Sequence, residues 1–143
     1  MPGRDDAPLR ARFYPAGAEL IRQGSRTGSL YILKNGEVEV IRDDHLLSVM
    51  RLPGTIMGEM SILLDRPHTA TVRARTDVEM FVLADAMREL GSHPSWLMQI
   101  ARVLAHHLDA ATVELMKLPK PQRPDAMVLP GLMSAMSEDT ERR

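Results

Sequence analysis

Between Phe13 and Leu83 the sequence is a series of short apolar runs, each followed by turn-forming residues. Runs of four to six residues separated by Gly, Pro, Asn and Asp are typical of β-strands rather than helices. The spacing leaves room only for short connections between strands. The series therefore predicts a mainly β, α+β chain with about eight antiparallel strands, folded as a barrel or a jelly roll.

The pair Asn35-Gly36 gives the strongest local turn signal in this series. It separates the apolar run at residues 30–33 from the run at residues 38–41. An Asn-Gly pair between two strands favours a tight hairpin, because both residues readily take a positive φ. We therefore predict a β-hairpin centred on this pair.

A short helix is predicted directly after the strands. Asp85 has a side chain that suits an N-cap, and Gly91 suits the position that follows a helix. The pattern therefore predicts a helix between these two residues.

A long helix is predicted from about residue 95 to residue 117. Its apolar residues recur three or four positions apart, which is the helical period, and they are Leu97, Ile100, Leu104, Leu108, Ala111 and Leu115. Pro94 suits its first turn, and Pro119 prevents its continuation. Such a helix is longer than one small barrel needs, so we expect it to form a homodimer contact or a moving lid.

The two ends of the chain are predicted to lie outside the domain. Residues 1–11 are polar and contain two prolines, which favours a flexible arm. Residues 118–143 form a proline-rich tail with an apolar patch at 127–136 and a short predicted helix at 130–136. We expect that patch to lie against its own domain or against an unknown protein partner.

Composition excludes several classes of function. The chain has no cysteine, which rules out disulfides and Cys nucleophiles, and its net charge of −1 argues against nucleic-acid binding. It has neither an apolar run long enough to enter a membrane nor a signal sequence, so we expect a cytoplasmic protein. His106 and His107 are adjacent on the predicted helix and diverge, so no metal site is predicted. No catalytic arrangement is present, so we predict no enzyme.

The central segment, residues 57–72, has the features of an anion cradle. Gly58 allows close approach of the backbone, and Glu59 adds a carboxylate beside it. A short helix predicted from Glu59 to Leu64 would leave the N–H groups of Met60 and Ser61 at its first turn. Such N–H groups bind anions, so the segment predicts a phosphate cradle beside a carboxylate that binds a sugar.

In its order of elements the chain resembles the cyclic nucleotide-binding domain family. The resemblance covers residues 12–117, with the barrel at about 12–84 and the helices at 85–117. It is carried by residues 15–24, by residues 29–40 and by the Met-Gly-Glu-Met-Ser-Ile-Leu run at 57–63, which resembles the family's phosphate-binding cassette. Because the resemblance ends near residue 117 and the remaining 26 residues are too few for a DNA-binding, kinase or channel segment, we expect a stand-alone regulatory domain.

The resemblance also implies roles for particular residues. The family's glutamate, here Glu59, binds the ribose 2′-hydroxyl, and the N–H groups of Met60 and Ser61 hold the cyclic phosphate. The family has an arginine nine residues after that glutamate and a small hydroxyl residue next. In this chain those positions are His68 and Thr69, so the counter-charge of the phosphate is absent from its usual place.

Two interpretations follow from this departure. In the first, cyclic AMP or cyclic GMP binds weakly at Gly58, Glu59, Met60, Ser61, His68 and Thr69, and the C-terminal helix transmits the signal. Arg66, two residues before His68, is then a candidate substitute for the missing arginine, against the alternative that it is a solvated loop residue. In the second, His68 is a satisfied polar residue, and the domain is a protein-interaction module whose tail fills the groove or binds a partner. Ser61 and Thr69 would then serve as cap or turn residues.

Overall fold

The structure is a computed structural model that describes residues 9–119 and 131–141. Its elements follow the chain in the order β1 (Leu9–Tyr14), β2 (Glu19–Ile21), β3 (Leu30–Asn35), β4 (Val38–Arg42), β5 (His45–Met50), β6 (Ile56–Met57), α1 (Glu59–Leu63), β7 (Thr71–Ala74), β8 (Val78–Leu83), α2 (Ala86–Ser92), α3 (Pro94–Met116) and α4 (Leu132–Glu141). The predicted strand number and the three predicted C-terminal helices are all present.

The strands form two four-stranded sheets, with the orders β1-β8-β3-β6 and β2-β7-β4-β5. Every strand pair in both sheets is antiparallel. Most successive strands lie in different sheets, and only β4 and β5 are neighbours both in the chain and in a sheet, which is the arrangement of a jelly roll. The prediction of a mainly β antiparallel fold is therefore confirmed.

The core follows the period-two pattern of the strands. Strand β8 buries Val78, Met80 and Val82, whereas Glu79 and Phe81 between them are only half-buried. Alternate side chains of a strand point to opposite faces, so one face of each sheet enters the core. The most deeply buried large side chains are those of Leu30, Leu33, Val38, Val78, Met80 and Leu83.

The hairpin predicted at Asn35-Gly36 is wrong. Strand β3 pairs with β6 and β8, whereas β4 pairs with β5 and β7, so this turn carries the chain from one sheet to the other. Gly36 has φ +96°, and a Cβ there would lie 2.4 Å from the Asp77 main-chain oxygen. Gly36 therefore allows two backbones to cross closely at this point.

The hairpin of this region lies one turn later, between β4 and β5. Asp43 and Asp44 connect these strands with φ values of 50° and 62°. Two successive positive φ values match the type I′ turn that suits the twist of paired strands. Aspartate tolerates this conformation better than most residues, which explains the Asp-Asp pair.

Strand β1 begins at Leu9, three residues inside the stretch that the sequence assigned to an arm. It pairs with β8 from Leu9↔Leu83 to Tyr14↔Val78. Five of its six residues are exposed, so main-chain pairing at a sheet edge holds it rather than a buried face. An exposed edge strand carries little apolar periodicity, which is why its start was missed. Residues 1–8 of the predicted arm lie outside the described residues.

The helices agree with the predictions except at the ends of α1, α2 and α4. Helix α1 ends at Leu63, one residue before the predicted Leu64. Helix α3 matches its predicted range within one residue and begins at Pro94, whereas α2 includes Gly91 and ends at Ser92, so the predicted stop at Gly91 is wrong. Helix α4 extends to Glu141, beyond the predicted end at residue 136; Pro130 and residues 127–129 of the apolar patch lie outside the described residues.

The chain divides after Met98 into two compact units. The sheets, α1, α2 and the start of α3 belong to the first unit, and the rest of α3 and α4 belong to the second.

Candidate functional site

Helix α1 begins at Gly58, which is its N-cap and has φ +88°. A Cβ at Gly58 would lie 3.1 Å from the Ser29 main-chain oxygen and 3.4 Å from both His68 Cε1 and Tyr31 Cδ2. Only glycine combines that left-handed φ with this tight packing. The turn into α1 therefore lies directly against His68 and against the start of β3.

A cavity of about 200 Å³ opens beside this turn. It is walled by aliphatic and methionine side chains from both sheets, by the start of α1 and by the segment at 68–70; the lining residues are Ile21, Val40, Met50, Ile56, Met57, Gly58, Glu59, Met60, Ser61, His68, Thr69, Ala70 and Val72. It is smaller than the roughly 300–1,000 Å³ of most ligand pockets. An apolar wall with a few polar groups at one end is the usual construction of a small-molecule site.

Six of the seven site residues predicted from the sequence line this cavity. They are Gly58, Glu59, Met60, Ser61, His68 and Thr69. Glu59 is the first residue of α1 and is half-buried, whereas Met60 is 46% exposed. Because the first N–H groups of a helix have no partner within the helix, the turn directs main-chain donors to the same region as the Glu59 carboxylate.

Arg66 is not among the residues that line the cavity. Its main-chain N–H donates to the Ser61 carbonyl at 3.1 Å, and its own carbonyl accepts a hydrogen bond from Ser61 Oγ at 2.5 Å. Its Nε is buried without a hydrogen-bond partner. The structure therefore assigns the Ser61 hydroxyl to the turn that follows α1, which is the role of a turn residue rather than of an anion ligand.

His68 is buried, with only 6% of its surface exposed, and each of its polar groups except Nδ1 has a defined partner. A hydrogen bond of 2.9 Å joins its Nε2 to Thr27 Oγ1. Its main-chain N–H donates to the Ser25 carbonyl at 2.9 Å, and its carbonyl accepts from the Gly24 N–H at 2.8 Å. These hydrogen bonds of His68 hold the loop between β2 and β3 against the wall of the cavity.

Burial lowers the pKa of His68 from its ordinary value of 6.5, because desolvation disfavours the charged imidazolium. The imidazole is therefore neutral at pH 7. Glu59 and His68 are the only ionisable side chains among the described residues that line the cavity, and no arginine or lysine lines it. Among these described lining residues, Glu59 alone has a side chain that is charged at pH 7.

The sequence did not reveal the partner of His68. Thr27 lies 41 residues earlier, in a loop without a distinctive motif. The apolar walls were equally hidden, since their residues occupy ordinary strand positions. Only the alternation of the strands indicated that such residues would face inward.

The lowered pKa of His68 predicts a pH-dependent stability. Between the lowered value and 6.5 the unfolded state binds more protons than the folded state, so the free energy of unfolding rises with pH through this window. It should fall on acidification from about pH 7 to about pH 5. Chemical denaturation of the chain and of a His68→Gln variant at each pH measures the effect.

The His68→Gln variant should lose part of this dependence, and the matched variant His106→Gln, at an exposed position of α3, should keep it. Identical pH dependence in all three proteins would contradict the prediction.

The part of the chain that the structure describes contains neither a metal site nor a membrane-spanning helix. Within residues 9–119 and 131–141 no three side chains of His, Asp or Glu lie where they could hold one ion. In the same ranges, none of the helices has the length and apolar character that a bilayer crossing requires.

The chain also has recognisable relatives. Curated relatives include a cGMP-dependent protein kinase of Caenorhabditis elegans, which is 43% identical over 52% of this chain and 9% of its own length. A cAMP-dependent protein kinase regulatory subunit of Aspergillus fumigatus is 37% identical over 50% of this chain and 18% of its own length. The chain thus spans less than a fifth of each of these two relatives.

Among solved structures, the catabolite activator protein of Thermus thermophilus superposes with a TM-score of 0.65 at 29% identity, over 76% of this chain and 54% of that one. The family model described as the cyclic nucleotide-binding domain matches residues 11–91, which is more than half of the 143 residues. That match includes the cavity, α2 up to Gly91 and both sheets except the first two residues of β1. The chain therefore belongs to the cyclic nucleotide-binding domain family.

Proposed function

We propose that this chain is a regulatory sensor module whose cavity binds a cyclic purine nucleotide, cyclic AMP or cyclic GMP, and binds it weakly. The observation that carries the proposal is that Gly58, Glu59 and Thr69 line one cavity. Glu59 would accept a hydrogen bond from the ribose 2′-hydroxyl. The N–H groups of Met60 and Ser61 would face the cyclic phosphate. Relatives named as cGMP-dependent and cAMP-dependent kinase proteins support this ligand class.

None of the described residues that line the cavity is an arginine or a lysine, and this supports weak binding. A charge-assisted hydrogen bond to a phosphate contributes about 1.5–3 kcal/mol. Its loss weakens affinity by roughly tenfold to more than a hundredfold. Neutral His68 does not replace that charge, because burial lowers the pKa of its imidazole.

Signalling would pass through the C-terminal helix α3. This helix exposes several large apolar side chains to solvent, namely Leu97, Met98, Leu108, Val113 and Met116. Exposed apolar side chains of this kind gain stability when a partner covers them. A second copy of the chain or an unknown protein partner would cover these side chains. Ligand binding would shift the equilibrium between the helix bound to that partner and the helix exposed to solvent.

Titration calorimetry with cyclic AMP and cyclic GMP tests the proposal. Light scattering of the same samples records the mass of the protein particle. We expect weak binding, with dissociation constants from about 10 µM to about 1 mM. Glu59→Gln should weaken it, whereas Glu114→Gln, at an exposed position of α3, should leave it unchanged. Absence of heat with both nucleotides at about millimolar concentration would contradict the proposal.

The second candidate is a protein-interaction module that has kept the fold without the ligand. The hydrogen bond of His68 to Thr27 favours it, because the residue at the arginine position is already engaged within the domain. In this case the tail, residues 118–143, would occupy the groove or bind a partner. Calorimetry separates the two candidates, since only the first predicts binding.

A further inference from the structure

The imidazole of His68 has one nitrogen that is engaged and one that is open. Nε2 lies 2.9 Å from Thr27 Oγ1, whereas Nδ1 has no hydrogen-bond partner within the described residues. Among the side-chain nitrogens and oxygens of those residues, Arg66 Nε is the only one that is both buried and without a partner. Nδ1 is therefore not sealed inside the protein, and solvent reaches it.

The open nitrogen lies on the cavity side of the ring. His68 is only 6% exposed and lines the cavity, whereas Thr27, the partner of Nε2, does not line it. The Cε1 atom, which is bonded directly to Nδ1, lies 3.4 Å from the position that a Cβ would take at Gly58, another lining residue. A ligand in the cavity would therefore meet Nδ1 rather than Nε2.

The hydroxyl of Thr27 determines which nitrogen carries the proton. Its Oγ1 accepts a hydrogen bond from the Ser29 main-chain N–H at 3.3 Å, and its other partner within the described residues is His68 Nε2. If Thr27 donates to Nε2, its hydrogen is used and each bond of the chain strengthens the next. The reverse arrangement would place two donors on Oγ1 and leave its hydrogen without an acceptor in the described part of the chain.

A neutral imidazole that accepts at Nε2 carries its proton on Nδ1 and can donate there. The oxygens of a phosphate diester only accept, so they match a protonated Nδ1 and oppose the lone pair of an unprotonated one. Thr69 also lines the cavity, but its hydroxyl can rotate to donate or to accept. The tautomer of His68, unlike Thr69, thus gives this part of the wall a fixed hydrogen-bonding sense.

We propose that Thr27 is a positioning residue of the candidate site: its hydroxyl holds His68 in the tautomer protonated at Nδ1, which makes the uncharged imidazole a hydrogen-bond donor to the phosphate of a cyclic nucleotide. The inference rests on the proposed function for its ligand. It adds a donor atom at the position where the charge is lost, and a residue outside the cavity that controls it.

The tautomer is measured first, in the absence of any nucleotide. Long-range ¹H–¹⁵N correlation spectra at about pH 8 distinguish the protonated from the unprotonated nitrogen of each neutral imidazole. Comparison with His68→Gln assigns the signals of His68 among the five histidines. We expect the proton on Nδ1. In Thr27→Val, where nothing donates to Nε2, the proton should move toward Nε2, and in Thr27→Ser it should stay on Nδ1.

Affinity is measured next, by calorimetric titration of cyclic AMP and cyclic GMP into the same proteins. Thr27→Val should bind about threefold to tenfold more weakly than the natural chain, which corresponds to one neutral hydrogen bond. Thr27→Ser should bind as the natural chain does. Thr112→Val, at an exposed position of α3, is the matched control for the loss of a threonine hydroxyl and should leave affinity unchanged.

A double-mutant cycle separates this role from a general effect on the β2–β3 loop. If Thr27 acts through His68, Thr27→Val should change affinity little when His68 is already glutamine. An equal loss of affinity in both backgrounds would show that Thr27 only supports the loop, and it would overturn the inference.

The outcomes distinguish this inference from the proposed function. A proton on Nε2 in the natural chain overturns the inference and leaves the proposed function intact, provided that a cyclic nucleotide binds. A proton on Nδ1 with unchanged affinity in Thr27→Val does the same. Absence of cyclic nucleotide binding contradicts the proposed function and overturns the donor role with it, whatever the tautomer. A proton on Nδ1, weaker binding in Thr27→Val and rescue in Thr27→Ser together support both.

Discussion

Replacing His68 with arginine should raise the affinity for cyclic AMP and cyclic GMP by about tenfold or more. The residue lines the cavity beside Gly58 and Thr69, so a guanidinium there would supply a positive charge that none of the described lining residues provides. Charge-assisted hydrogen bonds to a phosphate contribute about 1.5–3 kcal/mol, which corresponds to that gain. The measurement is calorimetric titration of both nucleotides into the variant and the natural chain.

The variant His45→Arg is the matched control. His45 is exposed at the start of β5, so the same change of charge is made away from the cavity. It should leave affinity unchanged. His68→Arg also removes the hydrogen bond to Thr27, so a loss of about 0.5–1.5 kcal/mol of stability is expected and can be measured by chemical denaturation. A folded His68→Arg protein without a gain in affinity would show that charge is not what limits binding.

Much of the fold was predictable because it depends on local signals. The alternation of strand residues and the three-to-four spacing in α3 reflect the geometry of single elements. Pro94 at the start of α3 is a local signal of the same kind. Such signals place elements along the chain without requiring knowledge of their neighbours.

The pairing of strands was not predictable in the same way. Asn35-Gly36 supplies the positive φ of a tight turn, yet the strands on its two sides belong to different sheets. A turn signal reports the local backbone conformation, whereas strand pairing depends on β7 and β8, which lie about 40 residues away. The crossing of Gly36 over Asp77 is therefore a property of the fold, not of the turn.

The candidate site likewise has one part that was predictable from consecutive residues and one part that was not. The turn at Gly58 and the start of α1 at Glu59 were predicted from consecutive residues, and the structure has both. The contact between His68 and Thr27 depends on a loop that packs beside the cavity, and no local pattern reports it. At position 68 the sequence showed only that the expected cation is missing. The structure adds that the His68 imidazole is buried and hydrogen-bonded to Thr27.

Replacing Gly36 with alanine should produce the largest loss of stability among single methyl additions in the described sheets. The added Cβ would meet the Asp77 carbonyl oxygen at 2.4 Å and Val78 Cα at 3.0 Å, in a backbone with φ +96°. The left-handed conformation alone costs about 1–2 kcal/mol for a residue with a Cβ. Because main-chain atoms of β8 must also move, we expect a total loss of at least about 3 kcal/mol, measured by chemical denaturation.

Substitutions at two further glycines separate the cost of the left-handed φ from the cost of the close contact. Gly17 has φ +89° with nothing within 4 Å of an added Cβ, so Gly17→Ala should show the conformational cost alone, about 1–2 kcal/mol. Gly91 lies inside α2 with open space, so Gly91→Ala should stabilise the chain by about 0.5–1 kcal/mol. Equal losses for Gly36→Ala and Gly17→Ala would contradict the close crossing. A loss confined to Gly36→Ala would instead show that contact with Asp77, rather than φ, requires glycine where the chain passes between the sheets.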